Sequence, residues 1–145
     1  MKKTFIFTLL VFVLFAGTAS AERLTVAVER ANVRSGPGTD HGILWSVGKY
    51  YPVDIIKTSG QWHQIRDFEG DKGWMHKSLL KKIPSVIVTG KTVNVREGPK
   101  TNFKVLFQAE KGVSFKLLGN KESWLKVRHA DGDVGWVHKS LAWGY

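Results

Sequence analysis

Residues 73–80 read GWMHKSLL and residues 135–142 read GWVHKSLA. Six of these eight positions are identical, and every match lies at an offset of 62. The same shift aligns the chain with itself without a gap. Asn32-Val33-Arg34 meets Asn94-Val95-Arg96, Gly36-Pro37 meets Gly98-Pro99, and Trp62 and Arg66 meet Trp124 and Arg128. Between residues 32 and 79 there are 18 identities in 48 positions, and most other pairs are similar, as in Ile55/Leu117 and Ile65/Val127. A fixed period of this quality marks a duplicated structural unit, so two copies of one small domain are expected.

Within each copy the pattern predicts short strands. Ala31 and Val33, like Val93 and Val95, alternate with polar neighbours, the period-2 signature of a half-buried strand. Ser-Gly-Pro-Gly at 35–38 and Glu-Gly-Pro-Lys at 97–100 are turn chemistry, because Pro fixes φ and Gly accepts positive φ. Val53–Ile56 and Phe115–Leu118 read as central strands, followed by Trp62–Arg66 and Trp124–Arg128. Glu69-Gly70 and Asp131-Gly132 are expected to form tight hairpin turns, the second of type I′. Gly-Trp-Met-His and Gly-Trp-Val-His then return as strands. No segment after Glu22 has a helical period. An all-strand domain this small is expected to close into a barrel, which removes exposed edges.

The first 21 residues have a different character. Lys2 and Lys3 precede an apolar run from about Phe5 to Phe15, and Ala19-Ser20-Ala21 supplies a small-residue ending. This is the layout of a cleaved secretory signal peptide, with a mature chain starting at Glu22. The run is shorter than the roughly 20 residues of a spanning helix, so no stable membrane anchor is expected after cleavage. Loss of Lys2 and Lys3 takes the formal charge from +10 to +8. A basic exported protein is drawn to anionic surfaces; outside the cytoplasm these are wall polymers and lipid head groups rather than nucleic acid. The chain has no Cys, which excludes thiol catalysis, thiolate metal sites and disulfide stapling, and leaves stability to the apolar core. Six Trp, eight Phe and 15 Gly suit a turn-rich β protein.

Asn-Val-Arg-x-Gly-Pro near the start of each copy, Trp-x-x-[Ile/Val]-Arg in the middle and Gly-Trp-[Met/Val]-His-Lys-Ser-Leu near the end resemble the bacterial SH3-like (SH3b) domain. The resemblance covers the whole chain after residue 21, twice. It implies an all-β protein of two tandem SH3-like barrels: signal peptide 1–21, barrel 1 at 22–81, a short linker at 82–85 and barrel 2 at 86–145. It also implies roles in cell-wall targeting, recognition of peptidoglycan or peptide, or service to wall-cleaving enzymes. The Tyr-rich Ala-Leu-Tyr-Asp-Tyr stretch of eukaryotic SH3 domains has no counterpart, so polyproline recognition is not carried over.

Alternation separates packing from function. In Trp124–Arg128 the apolar Leu125 and Val127 take the core face, which puts Trp124, Lys126 and Arg128 outside. Trp62, Gln64 and Arg66 follow suit. If Met75 and Val137 are core, Trp74 and His76, and Trp136 and His138, also point outward. The candidate ligand-binding residues are therefore Trp62, Arg66, Trp74, His76, Trp124, Arg128, Trp136 and His138, a set suited to stacking on sugar rings and holding a carboxylate. The blander role for each Trp is to pack under a loop or between barrels. Arg34 and Arg96, with Asn32 and Asn94, are expected to hold the Gly-Pro turns. His63 reads as a core or boundary residue.

Chemistry beyond binding is not indicated. One His per copy, with no second ligand at metal spacing, argues against a metal site. Glu69/Asp71 and Asp131/Asp133 are acids of a turn rather than a pair across a cleft. Ser78 and Ser140 follow a His by two positions, but no acid orients the pair. No nucleophile elbow, phosphate loop or zinc-protease helix occurs. The expectation is a non-catalytic, cofactor-free, periplasmic or secreted protein that binds peptidoglycan, its stem peptides or another anionic envelope polymer. The alternative is an adaptor that docks an envelope protein such as a wall hydrolase or membrane sensor.

Overall fold

A computed structural model describes residues 21–145, and the signal-peptide expectation lies outside the described residues apart from Ala21. Fourteen strands form two seven-stranded sheets of identical topology. In the first sheet these are β1 (Arg23–Val26), β2 (Arg30–Arg34), β3 (Ile43–Gly48), β4 (Pro52–Ser59), β5 (Trp62–Arg66), β6 (Lys72–His76) and β7 (Leu80–Lys81), ordered β3-β2-β6-β5-β4-β1-β7. The second repeats this with β8 (Ser85–Val88), β9 (Thr92–Arg96), β10 (Val105–Glu110), β11 (Ser114–Lys121), β12 (Trp124–Arg128), β13 (Val134–His138) and β14 (Ala142–Gly144). Every pairing is antiparallel, as short connections require.

Alternation delivers the cores. Ala31, Val33, Ile65 and Met75 fill the first, and Val93, Val95, Leu125, Val127 and Val137 the second. Each fully buried side chain of this size contributes about 1.5–3 kcal/mol. The two glycines of the repeated phrase are packing residues. A Cβ on Gly73 would strike Val33 Cγ1 and sit 3.2 Å from the Arg34 carbonyl, and one on Gly135 would meet Val95 Cγ1 at 2.5 Å. Only Gly lets β6 and β13 pass this close to β2 and β9.

Three local expectations are corrected, and bulges in two strands are added. The Glu69-Gly70 and Asp131-Gly132 turns are not type I′, since only the glycines have positive φ (87° and 105°). Instead Asp67 Oδ1 accepts from the Glu69 and Asp71 amides, each at 2.9 Å, and gathers a wider loop. A bulge at Ile55/Lys57 and its copy at Leu117/Gly119 leave Ile56 and Leu118 exposed and bring Lys57 and Gly119 opposite the outward Gln64 and Lys126, which a regular strand would not do. Asn32 and Asn94 do not hold the Gly-Pro turns, but accept from Ser46 on β3 at 2.8 Å and Gln108 on β10 at 3.0 Å. Ser85 is not linker; it opens β8, so residues 82–84 alone join the sheets.

The two barrels dock. All four residues of β8, Ser-Val-Ile-Val, are buried. Val86 and Val88 enter the second core, while Ile87 enters the first. Thr25 Oγ1 lies 2.7 Å from Ser85 Oγ and donates to the Ile83 carbonyl at 2.5 Å. The Arg23 guanidinium stacks 4.1 Å from the Trp143 ring centre, and Lys111 pairs with Glu69 at 3.7 Å. Trp143, on the last strand of the second sheet, packs against the first core.

Candidate functional site

The Lys-Ser-Leu end of the repeated phrase forms a single 3-10 turn, Lys77–Leu79 and again Lys139–Leu141. His76 and His138 cap these turns. Nδ1 of His76 accepts from the Ser78 amide at 3.2 Å and lies 2.8 Å from Ser78 Oγ; His138 and Ser140 repeat the pattern at 3.2 and 2.7 Å. An Nδ1 that accepts a backbone N–H carries no proton in the neutral ring, which puts the proton on Nε2. Each imidazole also stands edge-to-face with the tryptophan opposite it across the strand pair. The centroids of Trp62 and His76 are 5.3 Å apart at 87°, those of Trp124 and His138 5.2 Å apart at 84°. The Ser–His spacing alone would tempt a nucleophile assignment, but the contact is a cap and no carboxylate orients the ring.

All four outward tryptophans are half-buried, as are both histidines. Arg34 holds its loop by donating to the Thr39 and His41 carbonyls at 3.2 and 2.9 Å, and Arg96 donates to Thr101 and Phe103 at 2.9 and 3.0 Å. Strand β2 pairs with β6 at one position, Arg34 opposite Trp74, as β9 pairs with β13 at Arg96 opposite Trp136. Beyond that pair β2 and β6 splay and leave a groove of about 250 Å3, lined by Arg30, Asn32, Arg34, Trp62, His76 and Leu79. The structure therefore brings Trp62 and His76 together with two arginines, one engaged and Arg30 exposed.

Arg66 and Arg128 part company. Asp54, opposite Arg66 on β4, receives Arg23 Nε at 2.8 Å and has Arg66 Nη2 at 4.0 Å. Position 116, its equivalent, is Lys, so Arg128 faces a second cation. Trp74 and Trp136 differ too. Lys57 Nζ lies 5.6 Å from the Trp74 ring centre, whereas Gly119 takes its place in the second copy, with open space where a Cβ would stand. Sequence reading missed Arg30, Lys57 and the Asp54/Lys116 exchange. The 62-residue shift could have exposed the last two as mismatches on an outward face.

Other titratable groups lie off this surface. Burial and the nearby Asp67 charge push the Tyr51 hydroxyl well above the ordinary tyrosine range, and Tyr51 donates to Asp67 Oδ2 at 3.2 Å. Burial, then the charge of Lys77, lowers His63, whose Nδ1 is 2.8 Å from Thr58 Oγ1 at the barrel edge. Among the described residues no three His, Cys, Asp or Glu side chains converge as a metal site needs, and no helix is long and apolar enough to cross a membrane.

The bacterial SH3 domain family model matches residues 27–82 and 89–144. The chain belongs to that family, twice over. It is 30% identical over 144 residues to the "Putative N-acetylmuramoyl-L-alanine amidase YrvJ" of Bacillus subtilis (strain 168), covering 91% of this chain and 28% of the relative. It is 36% identical over 64 residues to the "Probable cell wall amidase LytH" of Staphylococcus epidermidis, covering 43% of this chain and 22% of the relative. The chain thus spans about a quarter of the length of these relatives. A solved NlpC/P60 family protein from Bacillus cereus ATCC 10987 aligns over 86% of this chain and 56% of its own, at 16% identity and a TM-score of 0.42.

Proposed function

We propose that this protein is a non-catalytic binding module of the bacterial cell envelope whose ligand is peptidoglycan, reached outside the cytoplasm. The observation that carries the proposal is the Trp–His pair built on the outer face of both barrels at nearly the same separation, with Arg30 and Arg34 lining the groove beside the first. A half-exposed indole offers a face to a pyranose ring, and the imidazole Nε2–H and arginine offer donors to hydroxyl or carboxylate oxygens. Membership of the bacterial SH3 domain family and similarity to two proteins named as wall amidases support peptidoglycan as the polymer. Two sites on docked barrels gain by effective concentration on a repeating ligand.

The test is co-sedimentation of residues 22–145 with purified peptidoglycan at low and moderate salt, beside Trp62→Ala/Trp124→Ala checked for fold by circular dichroism. Wild type should pellet and the folded double variant should stay in solution. Wild type that stays in solution at both salts would end the wall-binding proposal, and release of soluble fragments from the wall would end the non-catalytic part. A second reading, docking of an envelope protein, draws on the exposed Ile43 and Leu44 of edge strand β3 and Val105 and Leu106 of edge strand β10. It predicts a partner retained on the immobilised chain and lost with Leu44→Lys/Leu106→Lys.

A further inference from the structure

The two barrels share their strand order but not their outer charges, and one outer face carries several of the differences. Across four strands of the first barrel one row reads Lys57, Gln64, Trp74, Arg34; the same row of the second reads Gly119, Lys126, Trp136, Arg96. The next outward row reads Asp54, Arg66, Lys72 in the first barrel and Lys116, Arg128, Val134 in the second, so the like-charge pair moves from Arg66/Lys72 to Lys116/Arg128. In the first barrel the carboxylate neutralises its neighbours and a lysine ammonium covers the indole. In the second, Lys116, Lys126 and Arg128 form no ion pair among the described residues, and no cation stands over the half-buried Trp136 ring.

Like charges directly opposite on paired strands destabilise a sheet. The first barrel shows that an acid fits that position, so folding does not require Lys116. An anion supplied from outside would relieve the repulsion, and the half-exposed indole opposite Lys126 would stack on a ring that carries it.

We infer that the outer sheet of the second barrel binds an acidic sugar, and that its ligand is the glycan strand of peptidoglycan stripped of stem peptide. This rests on the peptidoglycan proposal and names the part of the polymer. While the stem peptide is attached, the lactyl group of N-acetylmuramic acid is a neutral amide. Hydrolysis adds water across that C–N bond: the acyl carbon gains the hydroxyl, the nitrogen leaves as the peptide amine, and the lactyl group becomes a carboxylate. Only the hydrolysed sugar joins a pyranose face to an anion at one residue. The class of reaction that supplies the ligand is therefore amide hydrolysis at muramic acid.

The experiment compares the whole chain on intact sacculi, on sacculi stripped of stem peptide, on a neutral N-acetylglucosamine oligomer and on a glycerol-phosphate polymer. The substitutions write first-barrel residues into the second. Lys116→Asp/Lys126→Gln removes cations, and Gly119→Lys enters open space while adding one. Wild type should bind stripped sacculi at least tenfold tighter than intact ones, and each substitution should cost about tenfold on stripped sacculi alone. A patch acting by charge alone would bind tighter with Gly119→Lys, and that outcome overturns the inference. So does equal affinity for stripped and intact sacculi, or preference for the neutral oligomer or the phosphate polymer. Each of these leaves wall binding standing; absence of binding to either sacculus removes both proposals.

Discussion

Ile87 is the residue on which the docking of the barrels can be tested most directly. It lies on β8, within the second sheet, yet its side chain is fully buried in the core of the first barrel. Ile87→Ala removes three carbons from that core, and truncations of this kind cost about 2–5 kcal/mol. With an m-value of roughly 2 kcal/mol/M for a chain of this size, the urea midpoint should fall by roughly 1–2.5 M. The diagnostic assay is amide hydrogen exchange, which reads the free energy of opening residue by residue. The slow amides of the first barrel, Val33 and Ile65 among them, should lose protection along with those of the second. If Val95 and Val127 exchange faster while Val33 and Ile65 are unchanged, Ile87 serves only its own barrel and the reasoning fails. A loss below about 1 kcal/mol would be equally damaging, because nothing that closely packed should be so cheap to remove.

The close passage at the repeated glycines predicts that Gly73→Ala and Gly135→Ala each lower stability by about 1–3 kcal/mol through overpacking, read as a lower melting temperature. Tyr51 holds its proton in the folded state above the ordinary value of 10.0, so stability is full below that value and falls as pH rises past it. Urea titrations between pH 9 and 11 should show this slope, and Tyr51→Phe should flatten it. His63 has the opposite sign. Its folded affinity for a proton is lowered, so stability is full above 6.5 and is lost as pH falls through the folded value. His63→Leu, which copies Leu125, should abolish that part of the acid slope between pH 7 and 5.

The duplication, the core residues and the outward tryptophans could be read from the chain because each follows from a period of two and a shift of 62. Val33, Ile65 and Met75 sit where alternation puts them. What could not be read depends on groups brought together by the turns. The His76 cap needs the 3-10 geometry of Lys77–Leu79, which carries no helical period because one turn is too short to show one. Bulges at Ile55/Lys57 and Leu117/Gly119 break the alternation by one residue, so Lys57 and Gly119 join the outward row of Gln64 and Lys126 although period two would turn them inward. The burial of β8 on both faces is written in Val86-Ile87-Val88 as an unbroken apolar run, but only the docked first barrel gives Ile87 its partners.

The repeated phrase itself divides between structure and ligand in a way that identity alone would misjudge. Gly73 and Gly135 are fixed by contact with the neighbouring strand, Ser78 and Ser140 by their cap, and Arg34 and Arg96 by two carbonyls each. These residues are identical in both copies because both copies must fold. Residues freed from that duty are the ones able to differ, and on the outer sheet they do: Asp54 against Lys116, Lys57 against Gly119, Gln64 against Lys126. A fold duplicated for avidity alone would have no reason to move three charges on one face. The charge differences on that face, among the many positions at which the copies diverge, are the ones the proposed acidic-sugar site draws on. The difference between the copies therefore says more about the ligand than the phrase they share.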